Sequence, residues 1–137
     1  MKNIFFVSNL AFLVIFLFSC LSLKAQSPYS LQYELGTRSE GSGISFYLSN
    51  NSQKTIEKVV FALSFYDENG EPVPGAENLS VPVSISVLPE SEAGGFISEG
   101  NIPYFPEGSF EIDWFYAEEI WYSDGSVFED PFGRFAG

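Results

Sequence analysis

The sequence predicts an all-β fold, an antiparallel β-sandwich of about seven or eight strands, behind an N-terminal signal segment. Three observations carry that expectation. Past residue 26, apolar residues alternate with polar ones at a period of two, and no segment repeats at the helical period. Gly, Pro, Asn and Asp cluster between the alternating runs at intervals near those of a small sandwich. Aromatic side chains make up 18% of the chain, which sets it apart from acidic disordered chains.

The strands follow in order. Tyr29, Leu31, Tyr33 and Leu35 alternate with Ser30, Gln32 and Glu34. After Gly41-Ser42-Gly43, Ile44, Phe46 and Leu48 alternate with Ser45, Tyr47 and Ser49, and Asn50-Asn51-Ser52 marks a turn. The longest strand runs from about Thr55 to Asp67. Its Val59, Phe61, Leu63 and Phe65 share one face, and Val60, Ala62, Ser64 and Tyr66 share the other, which predicts a central strand covered on both sides. Asp67-Glu68-Asn69-Gly70 ends it with an Asn-Gly turn signal, and Pro72 and Pro74 disqualify the next stretch as a central strand.

Leu79, Val81, Val83, Ile85 and Val87 alternate with Ser80, Pro82, Ser84 and Ser86, and Pro82 points to an edge strand or a bulge. A loop from Pro89 to Gly95 leads to Phe96 and Ile97. Phe110, Ile112, Trp114 and Tyr116 then alternate with Glu111, Asp113 and Phe115. Ile120–Ser123 and Ser126–Glu129 flank Asp124-Gly125, a strong hairpin signal. The expected organisation is a signal segment over 1–25, one sandwich over 27–130 and a Pro/Gly-punctuated tail over 131–137 that folds back on the core.

The signal segment is read from Lys2, the apolar run Ile4–Leu23 and the small residue Ala25 before Gln26. Leu17-Phe18-Ser19-Cys20 also resembles a bacterial lipobox, in which the cysteine is lipidated and becomes the new N-terminus. Retention as an uncleaved anchor is the third route, because the run is long enough to span a bilayer. Cys20, the chain's single cysteine, is accordingly removed, lipidated or buried in membrane, and no route leaves a disulfide within one chain. The expected location is secreted or periplasmic, alternatively lipid-anchored at the envelope, with membrane contact only through this segment or its lipid.

All 18 carboxylates lie beyond the signal segment, against only Arg38, Lys54, Lys58 and Arg134. Such a surface repels nucleic-acid phosphate and anionic lipid, so nucleic acid is excluded as a partner and an unidentified protein or glycan is expected.

Leu63-Ser64-Phe65-Tyr66-Asp67, followed by Glu68-Asn69-Gly70-Glu71-Pro72-Val73, resembles the FxLYD-type domains of exported bacterial proteins, with Leu63 and Phe65 in swapped order. Asn50-Asn51-Ser52 is similar to the Asn-rich turn that precedes that strand. Leu88-Pro89-Glu90-Ser91-Glu92, with Phe96 after it, resembles the downstream Pro-Gly-Glu turn without its glycine. The resemblance covers about residues 30–100 and implies an immunoglobulin-like sandwich without catalytic activity. Ile120-Trp121-Tyr122-Ser123-Asp124-Gly125-Ser126 resembles the closing hairpin of several exported β-domains.

Few catalytic tools are present. The chain has no histidine, which removes Ser-His-Asp and Cys-His nucleophile systems and imidazole metal sites. Glu111 and Asp113 are the best carboxylate pair for hydrolysis, but the solvated face of a strand that buries its other side is the preferred explanation of both. No enzyme activity is expected. No cofactor is required, and calcium is the one ion with a candidate ligand set. Asp67, Asn69 and Glu71 alternate, but the glycine falls too early for an EF-hand loop and residue 78 is Asn. Glu118, Glu119, Asp124, Glu129 and Asp130 form the better group, as hard oxygen donors around one hairpin, with turn chemistry and solubility as the competing explanation.

Eleven aromatic residues lie between Tyr104 and Phe135. Alternation buries Phe110, Trp114 and Tyr116 together and leaves Phe115, Trp121 and Tyr122 without a place in the core. Either all pack in the core and at its edges, or Trp121, Tyr122 and Tyr104 form a flat platform for sugar rings or a protein. The functional expectation is a non-enzymatic interaction or structural module of a bacterial envelope or secretome, with a carbohydrate- or calcium-binding module as the alternative.

Overall fold

The computed structural model describes residues 27–39 and 41–135; the expected signal segment with Cys20 and the last residues of the tail lie outside them. Seven strands run β1 Tyr29–Arg38, β2 Gly41–Asn50, β3 Ile56–Asp67, β4 Leu79–Val87, β5 Glu92–Ser98, β6 Phe110–Tyr122 and β7 Val127–Glu129, with one 3-10 turn at Glu99–Asn101. They form two antiparallel sheets, β1-β2-β5 and β4-β3-β6-β7, and the fold is the expected β-sandwich. The fourth strand pairs with β3. In the constant-type immunoglobulin arrangement it would join the other sheet.

The core is what the inward positions of both sheets supply: Ile44, Phe46 and Leu48 from one, Val59, Phe61, Leu63, Phe65 and Val81 from the other, all fully buried or nearly so. Phe61 stacks on Phe115 at 4.6 Å and 19°, and Phe46 closes on Phe61 at 5.1 Å. Such rings carry much of the apolar burial that a short chain without disulfides needs. β3 is central, as its sequence predicts. Its outward Ala62 and Ser64 are also buried, and their cross-strand neighbours on β6 are the large rings of Tyr116 and Trp114. β4 is an edge strand, which is where Pro82 is tolerated.

Two glycine runs read as turns or loops belong to strands. Gly41 and Gly43 lie inside β2, with Gly43 paired to Gly36 and Ser98. Gly94 and Gly95 lie inside β5. The reason at Gly95 is steric: it sits opposite Phe46, and an added Cβ would collide with that ring. At Gly43 an added Cβ would collide with the Ile97 carbonyl.

β6 corrects the expected alternation. Its register against β3 runs Ser64↔Trp114 then Phe65↔Ile112, and Val60↔Glu119 then Phe61↔Ala117, so Asp113 and Glu118 are each an extra, bulged residue. Each bulge resets the phase. Ile112 faces inward, then Phe115 and Ala117, then Ile120 and Tyr122; Trp114 faces out, with 36% of its surface exposed, while Phe115 is buried. Ile120–Tyr122 is therefore not a separate strand but the last part of β6, and Ser123 begins the turn.

Candidate binding surface

The two ends of the sandwich differ. At the end formed by the β2–β3, β4–β5 and β6–β7 connections, Asn50 is buried and fully bonded. Its Nδ2 donates to the carbonyls of Lys54 at 2.7 Å, Val87 at 3.1 Å and Leu88 at 3.2 Å, and its Oδ1 accepts from the Ser52 amide and hydroxyl. The Ser123 amide donates to the Thr55 carbonyl at 2.9 Å, and Lys54 Nζ reaches Ser126 Oγ at 2.8 Å and Asp124 at 3.3 Å. These bonds tie three loops together and close that end. Asn50 was legible in the sequence only as part of a turn.

The opposite end is open. The β3–β4 loop folds back on β3 through Val73 N–H to the Phe65 carbonyl and Phe65 N–H to the Ala76 carbonyl, both 3.1 Å. The β5–β6 loop contributes Phe105, which forms an edge-to-face trio with Phe65 and Phe110 at 5.1–5.8 Å. On either side of this trio lies a cleft. One, of about 620 Å³, runs past Leu35, Gly36 and Gly43 to Phe105 and Phe110, with Glu99 and Glu107 in its lining. The other, of about 350 Å³, lies between Pro74, Tyr104, Phe105 and Phe110, with Asp67 and Glu107 in its lining. No Lys or Arg lines either cleft. Both clefts combine the Phe105 and Phe110 rings with carboxylates and other polar groups, a lining suited to polyhydroxyl or cationic groups.

The three aromatics of the expected platform are not brought together. Tyr122 points into the core and is only 5% exposed, because the second β6 bulge sets its phase inward. Trp121 is 37% exposed and sits beside Lys58, whose Nζ lies 5.2 Å from its ring centroid, while its Nε1 donates to Glu119 at 3.2 Å. Tyr104 is 45% exposed at the open end, with its ring 3.7 Å from where a Cβ on Gly75 would stand. Lys58, paired with Trp121, and Asp67, which lines the same cleft as Tyr104, stand at opposite ends of β3, roughly 30 Å apart at ~3.3 Å per residue.

The five carboxylates of the expected calcium group are dispersed among separate partners. Glu118 accepts from Ser80 Oγ at 3.3 Å, and Glu119 is paired across the ladder with Glu129. Asp124 accepts from the Ser126 hydroxyl and from its amide at 2.9 Å; these bonds, with Lys54 beside them, hold its carboxyl down at about 2. Asp130 is buried and accepts from the amides of Arg134 at 2.8 Å and Phe135 at 3.0 Å. Among the described residues no three metal-capable side chains gather. Asp67 is likewise committed, accepting from the amides of Asn69 and Glu71 at 2.9 and 3.0 Å. Of the hydrolytic pair, Glu111 accepts from Tyr66 Oη at 2.6 Å, and that bond raises the Tyr66 pKa above its ordinary value. Asp113 is the bulged residue, so the regular strand spacing between the two does not hold.

Three of the four cations lie over aromatic rings: Arg38 at 4.8 Å from Phe96, Lys54 at 5.4 Å from Tyr122 and Lys58 over Trp121. Lys54–Asp124 is the one ion pair among the described residues. The remaining carboxylates leave the surface field negative. Comparison of the chain with protein-family models, curated proteins and solved structures finds no significant match.

Proposed function

We propose that this is a non-enzymatic exported β-sandwich that serves as an interaction or structural module of a bacterial envelope or secretome. The observation that supports it best is the pair of clefts sharing Phe105, Pro106, Glu107 and Phe110 at the one end that the loops leave open. Loop-framed ends of rigid sandwiches are where recognition surfaces are built. The resemblance of Leu63–Val73 to FxLYD-type domains and the signal-like residues 1–25 point the same way. A carbohydrate ligand is the second reading, favoured by one feature: Tyr104 presents an exposed ring beside an acid-rimmed cleft.

The test begins with the intact mass of the mature protein from membrane and medium, which distinguishes cleavage after Ala25, lipidation at Cys20 and retention. That protein is then screened against arrays of oligosaccharides and of surface-protein peptides, beside Tyr104→Ala and Glu107→Lys. Binding weakened about tenfold or more by either substitution supports the open end as the recognition surface. Binding indifferent to both removes the clefts from the proposal, and turnover of an arrayed glycan that is lost in Glu111→Gln overturns the non-enzymatic reading.

A further inference from the structure

The last sheet is incomplete along β6. β7 pairs with β6 only over Glu119–Trp121, and the Asp130 amide extends the contact by one bond to the Glu118 carbonyl at 2.8 Å. There the chain turns away. Pro131 has no amide to donate, the Gly133 amide returns to the Asp130 carbonyl at 3.3 Å, and the Asp130 carboxylate binds the amides of Arg134 and Phe135. The turn rests on Tyr116, whose Oη donates to the Pro131 carbonyl at 3.1 Å. Among the described residues, no strand pairs with Phe110–Phe115 on the side away from β3. That leaves roughly 20 Å of strand edge with unpaired backbone groups, at ~3.3 Å per residue.

What flanks this edge defines its occupant. On the inner side stand the half-buried Ile112 and, across the sandwich from β1, Tyr33 and Leu35; Tyr33 is 41% exposed and meets Phe115 edge-to-face at 5.0 Å. On the outer side stand the exposed Glu111, Asp113 and Trp114. A second copy pairing here would set these carboxylates against their own kind, and like charges across a ladder are destabilising. The opposite charge fits. The same sheet face already carries a Lys–Trp cross-strand pair, Lys58 with Trp121, and Trp114 has small Ser64 opposite it on β3 and, among the described residues, no strand partner on its other side. We propose that Phe110–Phe115 is a strand-addition site for an extended segment of another polypeptide that alternates apolar residues with Lys or Arg. Its apolar residues face Ile112 and Tyr33, and its cations face Glu111, Asp113 and Trp114. Main-chain bonds give affinity in this mode, and alternate side chains give specificity. The edge adjoins the open-end clefts at Phe110 and Leu35, while Tyr104 lines only the smaller cleft and lies outside the edge, so Tyr104→Ala tells the two sites apart.

The probe is a decapeptide of alternating Lys and Val, with two controls: the Glu-Val counterpart, and the Lys-Val peptide carrying two central prolines. Binding to the full mature protein is followed by titration and by amide hydrogen exchange. The expected result is binding of the Lys-Val peptide alone, with new protection at the amides of Phe110–Phe115. Glu111→Lys combined with Asp113→Lys weakens it about tenfold or more, Trp114→Ala by about threefold, and Tyr104→Ala leaves it unchanged. Glu111→Gln with Asp113→Asn repeats the charge test without introducing cations, should the Lys variant not fold. Equal binding of the proline peptide reduces the effect to bulk charge and overturns the proposal. Protection at β1, β4 or β5 instead, self-association through β6, or no binding at millimolar peptide overturns it as well.

Discussion

β3 and β6 are neighbours paired along nearly their whole length, yet they keep their faces by different means. From Val59 to Phe65, β3 holds a single phase: Val59, Phe61, Leu63 and Phe65 are all fully buried, and nothing interrupts them. β6 holds three phases in one strand, separated by bulges at Asp113 and Glu118. Both bulged residues are acidic, and neither supplies the core. A strand can therefore carry more aromatic residues than one face accommodates, because each bulge hands the next ring to the other side. It also means that alternation from Val59 to Phe65 of β3 reports directly which residues face the sandwich core, while alternation along β6 does so only between bulges.

Single-residue deletion breaks this comparison most sharply. Removing Ala62 turns Val59 and Phe61 away from the core, because the extra residue of β3 against β6, at Glu57, lies outside the stretch from Val59 to Phe65 and cannot restore their phase. Losing two of its buried apolar side chains costs roughly 3–6 kcal/mol at ~1.5–3 kcal/mol each, a large part of the whole stability of a small domain. Removing Asp113 instead closes a bulge and leaves Ile112, Trp114 and Phe115 in register with Phe65, Ser64 and Leu63. The expected outcome is no cooperative unfolding transition for the Ala62 deletion and a retained one for the Asp113 deletion, measured by denaturant titration. A folded Ala62 deletion would show that β3 has slack that its register does not reveal.

The next contrast is between adjacent residues. Phe115 stacks on Phe61 and meets Tyr33, whereas Trp114 faces solvent. Phe115→Ala should cost about 3–5 kcal/mol, and Trp114→Ala below about 1 kcal/mol, near the range of surface substitutions. Equal costs would mean that the first bulge does not set the phase in solution.

These same residues mark where the sequence stops being legible. β4, the hairpin at Asp124-Gly125 and β3 from Val59 to Phe65 stand where alternation and turn chemistry place them, because each is one phase; β3 changes phase only at Glu57, where its register against β6 shifts. β6 does not, because Asp113-Trp114-Phe115-Tyr116 reads as regular alternation in either phase; only pairing to β3 decides between them. Gly43 and Gly95 read as breakers because glycine favours turns, while their actual role is to admit the Ile97 backbone and the Phe46 ring. At the candidate surface, the sequence offers Tyr104 and Trp121 as exposed only in the platform alternative, and it does not show that they lie at opposite ends. Phe105-Pro106 carried no periodic signal at all. The open β6 edge is legible only in part: Pro131 and Gly133 announce a break, but what the break exposes depends on the strand beside it.

The smallest test concerns how the second bulge is held. Its backbone is bonded by groups distant in sequence: Tyr29 Oη accepts from the Ala117 amide at 3.2 Å, and the Asp130 amide donates to the Glu118 carbonyl. Tyr29 is buried, and burial pushes its hydroxyl up to about 12; the Ala117 amide opposes the rise and the Asp130 charge adds to it. Tyr29→Phe leaves the ring in place and strands a buried N–H, so the expected loss is about 1–3 kcal/mol. The pH dependence has a definite sign. An unfolded tyrosine loses its proton near 10, whereas the folded one keeps it to about 12, so unfolding releases a proton between these values. Tyr29 therefore contributes stability that is whole below pH 10 and lost as pH rises from 10 to 12. Tyr116 and Tyr122, also raised by burial, lose stability over the alkaline range in both proteins. The difference between wild type and Tyr29→Phe should accordingly narrow from pH 10 to 12 in denaturant titrations. A difference that stays constant would mean that the Tyr29 hydroxyl is not what holds Ala117, and that the bulge keeps its shape through the Asp130 bond alone.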